Sequence, residues 1–164
     1  MSNTAISMQE FDTEMAATRR VLERVPSDKA DWKPHPKSFS TAHLAQLIAG
    51  MPAWLTNIAT ERKLDLSTAP KYSNQTTEDL LAQFDKGVRE SRAALDKATD
   101  DDLALDWSLT MGEHAIMTMP RREVVRQTMG HIAHHRGQMT VYLRLLDVPV
   151  PSVYGPSADD RGGF

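Results

Sequence analysis

The chain has 164 residues, 40% of them apolar and 25% charged, with a net charge of −3 and a sequence pI near 6.0. That length suits one globular domain over residues 1–164. The charge balance gives no electrostatic reason to bind nucleic acid, no apolar run approaches the roughly 20 residues that span a bilayer, and the lack of cysteine excludes disulfides, thiolate metal sites and a cysteine nucleophile.

The N-terminal stretch MSNTAISMQEF has no basic segment followed by an apolar one, so it does not read as a secretory signal. Together with the absence of cysteine, this fits a reducing cytoplasm. Residues 6–25 are predicted to form an amphipathic helix with Phe11, Met15, Thr18, Val21, Leu22 and Val25 on one face, stopped by Pro26. Residues 26–39 read as a loop with a short helical turn near Lys29–Trp32. Ser40 has the character of an N-cap for a second helix. Its core face carries His43, Leu44, Leu47, Ile48, Met51, Trp54, Leu55 and Ile58. Pro52 falls inside that helix and predicts a bend.

Residues 60–75 read as a polar loop. Thr76 or Thr77 caps a third helix with Leu80, Leu81, Phe84, Val88, Ser91 and Leu95 along one stripe, and Asp100–Asp102 start one more short turn. Over residues 105–119 the helical period breaks. Leu105, Trp107 and Leu109 alternate and Gly112 marks a turn, so a small β-hairpin is predicted. Pro120 then suits the first turn of a last long helix. The Pro-, Gly- and Ser-rich tail is predicted to be extended and to pack back through Val153 and Tyr154. Four amphipathic helices with one hairpin predict an all-α four-helix bundle.

The segment HIAHHRGQM, residues 131–139, holds three of the six histidines. On a helical wheel His135 falls about 40° from His131, inside the stripe that should face the interior, with Gln138 and Tyr142 on the same arc. His134 lies at the margin of that stripe. The His-x-x-x-His spacing stacks two imidazoles one turn apart, the arrangement that binds a divalent metal from one helix. The alternative is a pair of core histidines bonded to backbone or water. His43 shares the core face of the second helix and is the candidate third ligand. It is also at the third position after the Ser40 cap, where it could be a first-turn residue near the rim. Arg136 points to a carboxylate on another segment. The three tryptophans read as packing, and His35 and His114 as exposed loop residues.

The run GHIAHHRGQMTVYLRLLDVPVPSVYGPSAD, residues 130–159, closely resembles the last helix and tail of the DinB-like family. WKPHPKSFSTAHLAQLIAGMPAWL, residues 32–55, resembles that family's second helix with its lead-in, and ALDWSLTMGE, residues 104–113, its hairpin. The resemblance implies an up-down-down-up four-helix bundle with a small β-hairpin before the last helix, often a homodimer. It also implies a divalent metal, nickel or zinc, held by one histidine of the second helix and two of the last. The latter two correspond to His131 and His135. The family's usual second-helix histidine aligns with position 47, which is Leu47 here, while His43 stands one turn, about 6 Å of axial rise, earlier. A shifted site using His43, a weak two-histidine site and no metal are the three outcomes. The resemblance implies a metal-dependent hydrolase or a transferase using a low-molecular-weight thiol on a small-molecule substrate. The alternative is a non-catalytic stress-response or small-ligand-binding protein that has lost the metal.

Overall fold

Each long helix up to residue 97 starts on a hydroxyl cap. The computed structural model describes residues 6–162, so residues 1–5, on which the leader reading partly rests, and residues 163–164 at the end of the tail lie outside it. Ser7 accepts from the Glu10 amide at the start of α1, Met8–Leu22. Ser40 accepts from the His43 amide at the start of α2, Thr41–Thr60. Thr76 caps α3, Thr77–Lys97, in a reciprocal box with Asp79. Such caps satisfy backbone donors that a helix leaves free at its first turn. A second box, Thr99 with Asp102, starts the short α4, Asp100–Ala104.

The hairpin is present and belongs to a larger sheet than the sequence suggested. β1, Lys63–Asp65, lies in the stretch read as a loop and pairs in parallel with β2, Asp106–Met111. β2 pairs antiparallel with β3, His114–Pro120, giving the order β1-β2-β3. Gly112 takes a φ of 59° at the first central position of the tight turn, as a II′-type hairpin asks. Asp65 ties β1 to that turn by accepting from the Gly112 amide at 2.9 Å.

The last helix, α5, runs over Arg121–Leu145 with Pro120 just before it. It ends in a 6→1 bond from the Val148 amide to the Leu143 carbonyl, with Asp147 at φ 56°. The four long helices pack so that both α1 and α2 touch α3 and α5. Phe11, Leu22, Leu44, Ile48, Leu55, Phe84, Ile132 and Met139 are fully buried where they meet. Each such side chain contributes about 1.5–3 kcal/mol of burial free energy. The protein is therefore mostly helical with a small three-stranded sheet.

α2 continues as one helix through Pro52. α3 comes close there: a Cβ at Gly87 would lie 3.1 Å from the Pro52 Cβ and 3.2 Å from the Ala53 amide nitrogen. At the far end of α2, Arg121 donates to the carbonyls of Ala59 and Glu61, at 3.1 and 2.6 Å. A cation there satisfies acceptors the helix leaves free and complements its dipole. Trp107 is buried and donates from its indole nitrogen to Asn57 at 2.9 Å, which fixes the sheet against α2. Between α2, the sheet and α5 an open space remains, and the histidines of α5 border it. Among the described residues no helix is long and apolar enough to cross a membrane.

Candidate functional site

His131 and His135 come together as their spacing predicts. Their Nε2 atoms are 2.8 Å apart and their ring centroids 4.5 Å. Gln138, one turn further on, places its Oε1 2.7 Å from His135 Nδ1. An amide oxygen accepts, so His135 carries its proton on Nδ1 and turns the Nε2 lone pair toward His131. The bond between the rings then requires His131 to donate from Nε2. Three side chains of one helix thus form a short directed chain.

Burial is the main cause holding both imidazoles below the usual histidine range. For His131 the neighbouring His135 and His134 add to it. For His135 the bond to Gln138 works the other way and His134 adds to the lowering. Both rings are therefore neutral at pH 7, which the tautomer assignment needs.

The two differ in position. His135 is 7% exposed, while His131 is exposed although the wheel placed both on the interior face. The reason is the space between α2 and the sheet, which His131 borders. That space is a cavity of about 400 Å³ walled by Trp54, Ile58, Trp107, Leu109, Met117 and Val124, with Gln127, Thr128 and His131 on the α5 side. The volume and the apolar lining with a few polar groups are those of a small-molecule pocket. Trp54 and Trp107 read as packing in the sequence, and they do pack. Their role as cavity walls was missed, because one lies on α2 and the other on β2. The Trp54 ring is 6.2 Å from the His131 ring, edge to face.

His43 goes elsewhere. It is the first-turn residue that the Ser40 cap predicts, and its ring is stacked between Phe39 at 4.1 Å and Tyr72 at 3.6 Å. Burial, then Lys33, hold its pKa below the usual range. The Phe39 ring also approaches His135, at 6.5 Å. Leu47 is half-buried and shares a smaller cavity of about 110 Å³ with Trp54 and Tyr72. Among the described residues no three His, Cys, Asp or Glu side chains group to hold a metal. Neither position 43 nor position 47 completes the pair, so the donors present do not fit the three-histidine ion that the resemblance implies. His134 is exposed, with its ring 5.1 Å from His135; His35 and His114 are exposed as expected, although His114 opens β3 rather than lying in a loop. Gln138 is exposed and Tyr142 buried. Both border a shallow cavity of about 230 Å³ beside His135, and the Tyr142 hydroxyl donates to the Phe39 carbonyl.

The fold and site are those of a mainly helical protein with a three-stranded sheet and an imidazole pair, one ring of which lines an apolar pocket. The model of the DinB family matches residues 1–161, and the chain belongs to that family. Two solved structures share the fold. A DinB-like protein of Bacillus cereus ATCC 10987 superposes with a TM-score of 0.69 at 21% identity, over 89% of this chain and 94% of that one. YjoA, a DinB-like protein of Bacillus subtilis, gives 0.66 at 20% identity, over 85% and 91%. The uncharacterized protein YrdA of Bacillus subtilis (strain 168) is 39% identical over 46 residues, which span 28% of each chain.

Proposed function

We propose that this DinB-family protein binds a small apolar molecule with a hydrogen-bond-donating head, such as a hydroxyl, amide or thiol. The observation that carries the reading is the apolar cavity of about 400 Å³ ending on His131. His131 is neutral and spends its Nε2 proton on His135, so the nitrogen it has left is Nδ1, an acceptor. A ligand donor is the complementary group. Gln138 and His135 act through His131 by holding its ring and tautomer.

The test is a tryptophan-fluorescence titration with toluene, benzyl alcohol and benzyl mercaptan, which share a body and differ in the head. Saturable quenching is expected for all three, with the two donors binding about 2–10-fold tighter, the worth of one hydrogen bond. His131→Phe should remove that difference and leave toluene unchanged. Equal affinities for the three, or no saturation, would overturn the reading.

A second reading is a metal-dependent hydrolase or thiol-dependent transferase, and one observation favours it. The two Nε2 atoms converge while the other nitrogen of His135 is held by an oxygen, the outer support that metal-bound imidazoles commonly have. Measuring metal content after offering zinc or nickel to untagged protein separates the two. One metal per chain, lost in both His131→Ala and His135→Ala, would replace the first reading by the second.

A further inference from the structure

The other flank of α5 holds a second unusual group. Arg136 is 1% exposed. Its Nη1 donates to the Glu14 carbonyl and to Thr18 Oγ1, each at 3.1 Å, and lies 2.8 Å from Glu14 Oε2. Its Nη2 is buried and has no hydrogen-bond partner among the described residues. A guanidinium held only to brace α1 against α5 would direct all its donors to the protein, because a buried donor left unpaired is costly.

Arg136 borders a cavity of about 210 Å³ shared with Ala133, Gly137, Thr140, Val153 and Tyr154. The floor is open because α5 carries glycine there: a Cβ at Gly137 would meet nothing within 4 Å. Over the guanidinium lies the Tyr154 ring, its centroid 4.9 Å from Cζ. This cation–π contact gives Arg136 some compensation without using a hydrogen bond. Tyr154 is itself 68% exposed, and its hydroxyl donates to Glu14 Oε2 at 2.9 Å.

We propose that Arg136 and this cavity form a second ligand site, for a small monocarboxylate, separate from the histidine pocket. One free donor matches one carboxylate oxygen, with charge assistance. The rest of the ligand would lie on Gly137 and Ala133 against Val153 and Tyr154. Charge selects the class. Glu14 already offsets the arginine and repels any anion in proportion to its charge, so a phosphate dianion meets about twice the repulsion of a monocarboxylate for the same single donor.

The experiment follows the Arg136 side-chain NMR resonances of the full chain during titration with benzoate, acetate and inorganic phosphate at constant ionic strength. A saturable shift with benzoate, weaker with acetate and absent with phosphate, is expected. Gly137→Leu fills the cavity without touching the ion pair and should weaken benzoate at least tenfold. His131→Phe should leave this shift unchanged, which separates the site from the apolar pocket. Arg136→Lys keeps the charge for Glu14 but removes the spare donor, and benzoate should then no longer shift the Tyr154 ring resonances, which replace the lost arginine signals as the readout in that variant. If that variant fails to fold, Gly137→Leu decides alone. No saturation by about 10 mM benzoate, a floor set by millimolar affinity, would overturn the proposal, as would undiminished binding in Gly137→Leu or a phosphate response equal to that of benzoate.

Discussion

His135 and Arg136 are consecutive and both buried, yet they leave α5 toward different flanks and are satisfied in different ways. His135 is served by its own helix: Gln138 three residues on and His131 four residues back. Arg136 is served by Glu14 and Thr18 of α1 and by the Tyr154 ring of the tail. The hydrogen bonds of the imidazole pair are therefore local to α5. The guanidinium site is assembled from three distant segments and reports on the whole fold. A neutral ring can be housed by neighbours at helical spacing, whereas a buried charge needs a carboxylate, which here comes from another element.

The largest effect is expected at the buried charge. Arg136→Met strands Glu14 and Thr18, and urea unfolding should show a loss of about 3 kcal/mol. A loss no larger than that of an exposed substitution would mean the pair does not couple α1 to α5. Next is Gln138→Leu, which leaves the Nδ1 proton of buried His135 unpaired and should lower stability by about 1–2 kcal/mol. Its circular dichroism should stay native, since only local bonds are lost.

The effect of pH sharpens the contrast further. Burial holds the pKa values of His131, His135 and His43 in the folded protein below the ordinary histidine value of 6.5. The unfolded chain then binds protons first as pH falls, so stability is fully present above about 6.5 and is lost as pH drops from there through the folded values. Urea midpoints at pH 7.5 and 5.5 should show this loss, and His131→Leu/His135→Leu should leave only the His43 share. The depressed carboxylates, among them Asp65 and Asp159, lose their contribution at lower pH and do not confuse that window. Smallest is Tyr154→Phe, which removes one bond to Glu14 from an exposed ring. Its cost in a thermal melt should be at most about 0.5–1 kcal/mol.

Local features of the chain were readable because they depend on spacing alone. The caps at Ser40 and Thr76, the hairpin turn at Gly112 and the meeting of His131 with His135 all follow from period and residue type, whereas residue type gives only that Arg136 needs a carboxylate and not that Glu14 of α1 supplies it. What failed to show in the sequence depends on partners far away in the chain. β1 is only three residues long, and its pairing with β2 joins positions more than forty apart. The helical period of α5 gave a face for His131 but not the gap opposite it. His43 looked like a ligand because the wheel says nothing of Tyr72, a loop residue that stacks on it.

The close approach of α3 to α2 at Gly87 and Pro52 has an evolutionary consequence. A Cβ at Gly87 would press on the Pro52 Cβ, an atom every residue but glycine shares, and on the backbone nitrogen of Ala53, so the constraint falls on position 87 whatever stands at 52. Relatives bearing a side chain at 87 should hold the two helices farther apart, and a library randomised at both sites should return glycine at 87 far more uniformly than proline at 52.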